Sequence, residues 1–199
     1  MRWDNLFDDL EGQLEHELNA EEIDLRAEEE RLRLGRLSIR DRLLSLARSG
    51  GRQDPRMLSV VLTAGQGITV RPSAFGKDWL AGDLIDHSGT SAQCVVPFVA
   101  IAAVVLTEDD VADSLNSPVQ TLAQVVDRIG LAFVLRDLCR RRKSVDVQTA
   151  TGRLSGTIDR VGRDHFDVAM HPPGTQRRRG QVEQYRLVPL AQLQLIRLA

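Results

Sequence analysis

Residues Val145 to Met170 read VDVQTATGRLSGTIDRVGRDHFDVAM, and this stretch decides the fold prediction for the chain. Its apolar positions largely alternate with polar ones: Val145, Val147, Leu154, Ile158, Phe166 and Val168. Turn residues separate the apolar runs at Thr151-Gly152 and at Gly162-Arg163-Asp164. Because a period of two is typical of half-buried strands, the stretch is predicted to form three consecutive antiparallel strands.

Two short motifs of this region have counterparts earlier in the chain. Gly76-Lys77-Asp78-Trp79-Leu80 resembles Gly162-Arg163-Asp164-His165-Phe166. Further along, Val96-Pro97-Phe98-Val99-Ala100-Ile101 resembles Val188-Pro189-Leu190-Ala191-Gln192-Leu193. Since the two pairs follow the same order, they indicate a duplicated module. We predict two modules, each made of one helix followed by five short strands.

The division of the 199 residues follows from this repeat. We predict an acidic N-terminal helix at 1–36, a first module at 37–106, a polar, turn-like linker at 107–118 and a second module at 119–199. Strands of the first module are expected at 57–63, 68–74, 79–86, 92–96 and 101–106. Those of the second module are the three strands of the opening stretch, followed by 184–188 and 192–198. Each module is then small and marginal on its own, and the predicted fold class is α+β.

Each module is predicted to open with a helix. In the first, Ser38 is the expected N-cap, and the helix ends at Ser49-Gly50-Gly51. In the second, apolar residues at helical spacing predict a helix from Val119 to Cys139, within which Gly130 either bends the helix or marks a close contact. The basic residues Arg140 to Lys143 suit the negative end of that helix dipole.

Charge is distributed unevenly along the chain, although its net charge is −2. Residues 1–36 carry 12 acidic and five basic residues, whereas residues 37–199 carry 16 acidic and 21 basic residues. An acidic helix beside a basic body either covers that body or keeps it away from polyanions until a partner displaces the helix. This is a hypothesis, and deleting residues 1–34 would test it through the salt dependence of nucleic-acid binding.

The bulk composition excludes several classes of protein. Hydrophobic residues make up 42% and charged residues 27%, as in ordinary globular proteins. No apolar run approaches the roughly 18 residues that a membrane span requires, so no membrane association is predicted. The N-terminus is acidic where a signal peptide is basic and then apolar, which predicts a cytoplasmic location. Cys94 and Cys139 have neither metal-ligand nor disulfide spacing, and both are expected to be buried.

No catalytic or metal-binding motif is evident in the sequence. The four histidines lack helical His-x-x-x-His spacing: His16, His87, His165 and His171. Asp78 and Asp164 could be taken as paired acids, but each lies in a turn, where Asp commonly accepts hydrogen bonds from backbone amides. We therefore predict no enzyme activity, no catalytic residue, no metal and no cofactor.

The repeated unit resembles the small β-barrels of the Sm-like and SH3-like superclass, over residues 38–106 and 119–199. The resemblance rests on a helix followed by five strands, with Gly-x-Asp between the second and third strands and Val-Pro before the fifth. It implies two fused barrels that pair their edge strands with each other. The whole chain also resembles an uncharacterised type of bacterial protein with an N-terminal Trp-Asp-x-Leu-Phe helix and two such barrels.

Binding functions of two kinds follow from this resemblance. Sm-like proteins bind RNA in oligomeric rings, whereas SH3-like barrels more often bind peptides or proteins. In this chain Lys77-Asp78 and Arg163-Asp164 stand where Sm proteins carry an Asn-containing RNA motif, so RNA specificity is not carried over. Trp79 is expected to pack between the modules rather than to act as a recognition aromatic.

A protein-binding adaptor is the first functional prediction. Apolar residues recur at helical spacing in the N-terminal helix: Trp3, Leu6, Phe7, Leu10 and Leu14. This stripe packs on its own body, on a second copy as a homodimeric coiled coil, or in a groove of another protein.

RNA or DNA binding is the alternative. Seven basic residues fall in two clusters of the second module: Arg140, Arg141, Arg142, Lys143, Arg177, Arg178 and Arg179. Together they would form a phosphate-binding face with a steep salt dependence. Otherwise the first cluster only complements the helix dipole and the second is a soluble loop. Base stacking depends on Tyr185 and His165, because aromatic residues make up only 4% of the chain.

Overall fold

The computed structural model describes residues 21–51, 55–85, 91–116, 125–172 and 182–198. The chain divides into two compact units, Met1–Ser38 and Ile39–Ala199. Within the first unit, helix α1 is described over residues 21–36. Ion pairs along its surface stabilise it from within, since Arg26 lies 2.6 Å from Glu22 and Arg33 lies 2.6 Å from Glu30.

In its described residues the second unit combines three helices with ten strands. The helices are α2 (Ile39–Ser49), α3 (Glu108–Leu115) and α4 (Leu131–Arg141). The strands are β1 (Leu58–Leu62), β2 (Gly67–Phe75), β3 (Trp79–Ile85), β4 (Ser91–Pro97), β5 (Ile101–Val105), β6 (Ser144–Thr149), β7 (Gly152–Val161), β8 (His165–Met170), β9 (Gln184–Pro189) and β10 (Leu193–Leu198). The predicted α+β class is confirmed, and so are the three strands of the opening stretch, β6 to β8.

The ten strands form one open antiparallel sheet in the order β5-β1-β2-β3-β4-β10-β6-β7-β8-β9. Each half of the sheet places its fifth strand beside its first, followed by its second, third and fourth strands. The halves join where β4 pairs with β10, with Val95 opposite Ile196 and Cys94 opposite Arg197. The expected pairing between edge strands of the two halves is therefore present, within a single continuous sheet.

Two apolar clusters lie in the two halves of the sheet. The first joins α2 to strands β1 to β5, and its fully buried members include Leu62, Val70 and Leu80. The second joins α4 to strands β6 to β10, and its fully buried members include Leu135, Ile158 and Phe166. Leu195 of β10 belongs to the first cluster, whereas Trp79 of β3 belongs to the second. This exchange couples the halves, and it confirms the predicted packing of Trp79 between them.

Glycine permits close packing of the strands where the second and third strands of each half meet. A Cβ atom on Gly82 would lie 2.9 Å from the carbonyl carbon of Arg71 and closer still to its oxygen. A Cβ atom on Gly156 would meet Ala169 in the same way. Both hairpins also contain a register shift, and such irregularities bend a strand pair.

The segment predicted as a turn-like linker contains helix α3, so that part of the prediction is wrong. Thr107 is its N-cap, and a capping box forms because Asp110 donates its N–H to the Thr107 hydroxyl and accepts the Thr107 N–H at 2.8 Å. The helix is tied to the rest of the unit by Arg42, which donates to the buried hydroxyl of Ser114 at 2.7 Å. Arg56 adds an ion pair with Asp110.

The predicted continuous helix to Cys139 is interrupted before α4. A 3-10 turn at Val125–Arg128 is followed by Ile129 and Gly130, and α4 begins afterwards. The carbonyl of Ile129 accepts from the Lys77 N–H at 3.0 Å and from Trp79 Nε1 at 2.9 Å. Contacts with residues distant in sequence therefore replace helical hydrogen bonds at this position.

Candidate binding surfaces

The two Gly-x-Asp turns have the same local hydrogen bonding. Within the turns, the Gly76 N–H donates to the Trp79 carbonyl and the Gly162 N–H donates to the His165 carbonyl, both at 2.8 Å. From the 3-10 turns, the Phe98 N–H donates to the Asp78 carbonyl at 2.9 Å, and the Leu190 N–H donates to the Asp164 carbonyl at 2.7 Å. In both halves the turn before the third strand is thereby fixed against the 3-10 turn before the fifth strand. The repeated motifs of the sequence correspond to repeated geometry.

These turns line a surface cleft of about 380 Å³. Lys77 reaches it from the first half of the sheet and Arg163 from the second, and the exposed Val99 lies beside them. The cleft thus combines two cationic side chains and the Asp78 carboxylate with apolar surface. These side chains carry one net positive charge, which suits an anionic ligand.

The two aspartates of the turns serve different local partners. The carboxylate of Asp78 accepts the Leu131 N–H at 2.7 Å and so caps the start of α4, which confirms the capping role predicted for it. The carboxylate of Asp164 lies 2.8 Å from His165 Nδ1, and this hydrogen bond lowers the pKa of Asp164. The acids are engaged separately in the two turns.

The basic cluster Arg140 to Lys143 lies at the C-terminal end of α4. Arg140 and Arg141 both pair with Asp137, at 2.7 and 2.6 Å. The hydrogen bond from Arg140 and the charge of Arg141 lower the pKa of Asp137. Arg142 adopts the left-handed conformation that ends the helix, and both it and Lys143 are exposed. The second predicted cluster, Arg177, Arg178 and Arg179, lies outside the described residues.

The predicted helix anchors Trp3, Leu6, Phe7, Leu10 and Leu14 also lie outside the described residues. In the described part of α1, Leu25 is 61% exposed and Leu32 is 54% exposed. Because these leucines are seven residues apart, they lie on one face of the helix. These two leucines form a short apolar stripe beyond the predicted anchors, and the exposed Ile23 and Leu34 lie on the other face of the helix.

The outer edges of the sheet form a further surface that sequence reasoning missed. Among the described strands, β5 pairs only with β1, and β9 pairs only with β8. Val105 on β5 is 61% exposed, and Leu187 on β9 is 65% exposed. Nothing local in the sequence distinguishes these strands from the paired ones, because strand order decides which strands lie at the edges.

Known proteins give no direct guide to the function of the chain. Its comparison with protein-family models, with curated proteins and with solved structures found no match. Within the described ranges, no group of three or more His, Cys, Asp or Glu side chains is placed to hold a metal ion. No helix in the same ranges has the length and apolar character needed to cross a membrane.

Cys94 is buried, and its burial raises the pKa of the thiol to about 11, whereas Cys139 is half-buried.

Proposed function

We propose that this chain is a non-enzymatic cytoplasmic adaptor that captures a protein partner through its N-terminal helix. Its body, in this proposal, is a tandem of two fused small β-barrel modules of the Sm-like or SH3-like kind. The repeated strand order and the matching hydrogen bonds of the two turns support the tandem interpretation.

The exposed leucine stripe of α1 carries the proposal of partner capture. Burial of a leucine side chain contributes about 1.5–3 kcal/mol, so an unburied stripe favours association with another apolar surface. Ion pairs such as Arg26–Glu22 stabilise the helix independently of packing. A preformed amphipathic helix of this kind is suited to a hydrophobic groove on a partner.

The charge of the helix indicates which groove would fit. Residues 1–36 carry 12 acidic and five basic residues, so basic side chains on the rim of the groove would complement the helix. The predicted anchors would enter the groove together with the described leucines: Trp3, Leu6, Phe7, Leu10 and Leu14.

Paired substitutions on opposite faces of α1 test this proposal. The full chain is used as bait in a lysate of its native host, and captured proteins are identified by mass spectrometry. Leu25→Glu with Leu32→Glu is expected to abolish capture. Ile23→Glu with Leu34→Glu is the matched control, because these residues are eleven apart and lie on the other face of the helix. Circular dichroism verifies that both double variants keep their helix.

Equal loss of capture in both double variants would contradict a specific apolar face. Failure of the unaltered chain to capture any protein would also reject the adaptor proposal. The predicted anchors provide a second comparison, since Trp3→Ala with Phe7→Ala is expected to reduce capture as strongly as the leucine substitutions.

RNA or DNA binding is a second candidate, and it is favoured by the cations that line the surface cleft between the two Gly-x-Asp turns. Lys77 and Arg163 reach it from the two halves of the sheet, and Arg142 and Lys143 add exposed charge elsewhere on the body. The test is affinity for a generic RNA over a range of salt concentrations. Replacing Lys77 and Arg163 by Glu is expected to reduce the salt slope by about one for each phosphate that is no longer bound. An unchanged slope would exclude this cleft.

A further inference from the structure

The joint at the centre of the sheet shows how the two halves of this chain bind each other. There β4 contributes Val95 and β10 contributes Ile196, which face each other in antiparallel register. Val95 is 4% exposed, and Ile196 is fully buried. Backbone pairing and apolar burial therefore act together at this joint.

The outer edges of the sheet are the repeat equivalents of the two strands in this joint. The matched Pro97 and Pro189 end β4 and β9, so Leu187 occupies the position of Val95. The matched 3-10 turns precede β5 and β10, so Val104 occupies the position of Ile196. One outer edge of the sheet, β9, is therefore equivalent to β4, and the other outer edge, β5, is equivalent to β10.

Burial differs sharply between the equivalent positions. Leu187 is 65% exposed, although its counterpart Val95 in the joint is buried. On the opposite edge Val104, the counterpart of the fully buried Ile196, is half-buried, and its neighbour Val105 is 61% exposed. An edge strand with exposed apolar side chains and unpaired backbone groups is a template for pairing with another chain.

We infer that copies of this chain assemble head to tail, with β9 of one copy paired antiparallel to β5 of the next. The register of the internal joint places Leu187 opposite Val104 and Arg186 opposite Val105 of the next copy. Because the two surfaces differ, repetition of this contact forms a closed ring or an open chain rather than a symmetric dimer. The inference rests on the repeated strand order and is independent of partner capture by α1.

Two single substitutions and their mixture test the inference. Leu187→Lys and Val105→Lys are made in the full chain, and Val111→Lys on α3 serves as a control at an exposed apolar position outside the strands. Circular dichroism and thermal unfolding verify the fold of each variant. Particle mass is measured by sedimentation velocity and native mass spectrometry over a range of concentrations.

The unaltered chain and Val111→Lys are expected to form species larger than a dimer. Each edge variant alone is expected to associate at least about tenfold more weakly. Leu187→Lys puts a charge at the position where the internal joint buries Val95, and Val105→Lys puts a like charge opposite Arg186 of the neighbouring copy. An equimolar mixture of the edge variants should form a heterodimer that grows no further. In that pair the intact β9 of the Val105→Lys copy binds the intact β5 of the Leu187→Lys copy, and both remaining edges carry lysine.

Three results would overturn the inference. The first is an unaltered chain that remains monomeric at every concentration. The second is a Val105→Lys protein that still forms homodimers while Leu187→Lys does not, because this would show a symmetric pairing of β9 with β9. The third is self-association unchanged in both edge variants, which would assign it to a surface other than the sheet edges, such as α1.

Discussion

Substitution of Gly82 by alanine is expected to destabilise the protein because the sheet has no space for a side chain there. The new Cβ atom would lie 2.9 Å from the carbonyl carbon of Arg71, whereas ordinary van der Waals contact begins at 3.4 Å. The obstacle is backbone of the paired strand β2, which cannot rotate away as a flexible side chain would. Strand β2 must shift, and its hydrogen bonds to β3 must distort.

The expected cost is about 3 kcal/mol, the upper part of the usual range for overpacking in a well-packed site. In a domain of this length, 1 kcal/mol lowers the midpoint of thermal unfolding by about 2–4 °C, so Gly82→Ala should lower it by about 6–12 °C. Gly156→Ala is expected to behave similarly, since its Cβ atom would meet the backbone of Ala169 in the second half.

The assay compares urea and thermal unfolding of Gly82→Ala with that of Gly67→Ala. Gly67 is the first residue of β2 and pairs with Val61 of β1, and nothing lies within 4 Å of a Cβ atom built there. Because glycine loses more conformational freedom on folding than alanine, Gly67→Ala should be neutral or stabilise the protein by up to about 1 kcal/mol. Equal stability of the two variants would refute the steric reasoning.

Three further predictions concern Trp79, Asp78 and Cys94. Trp79→Phe removes the Nε1 hydrogen bond to Ile129 and should lower the free energy of unfolding by about 1 kcal/mol in urea. Asp78→Ala leaves the Leu131 N–H without its cap and should cost about 1 kcal/mol, with less helical signal in circular dichroism. Burial raises the pKa of Cys94 from 9.0 to about 11. The stability from its protonated thiol is therefore present below pH 9 and lost as pH rises towards 11, by up to about 3 kcal/mol relative to Cys94→Ala in urea unfolding.

The matched turn in the second half of the sheet provides a control. Asp164→Ala should change stability less than Asp78→Ala, because the exposed Asp164 carboxylate contacts the half-buried His165 instead of a helix start. An equal loss in both would contradict the capping argument. A Cys94→Ala protein with the pH dependence of the unaltered chain would contradict the burial argument.

The proposals assign different parts of the chain to different contacts. Helix α1 would capture a protein partner, the edges β5 and β9 would bind further copies, and the cleft lined by Lys77 and Arg163 is the candidate for anionic ligands. Each assignment has its own variants, so the failure of one leaves the others testable.

Local chemistry made the strands and their repeat predictable from sequence. Alternating apolar residues predicted β6 to β8, and the repeated Gly-x-Asp and Val-Pro motifs led to two matching sets of turns. These features depend on neighbours in the chain, namely the period of two in a strand and the turn preference of glycine and aspartate. The α+β class follows from the same patterns.

Helix boundaries were less predictable where a distant residue supplies the cap. The break at Gly130 depends on Asp78, which is more than fifty residues away, and on hydrogen bonds from Lys77 and Trp79 to Ile129. Helix α3 did have a local signal in Thr107 and Asp110, the two ends of a capping box. Because residues 107–118 are mostly polar, they were nevertheless predicted to form a turn-like linker.

The sequence alone determined the strands, the turns and the duplication of this protein, because each depends on side-chain chemistry within a few residues. Only the tertiary structure decided which strands are paired on both sides and which lie at the edges of the sheet. Leu187 and Val95 occupy equivalent positions in the repeat, yet one is exposed and the other is buried. The physical reason is that hydrogen bonding between strands is non-local, so an apolar residue in a strand is buried only where the fold supplies a neighbour.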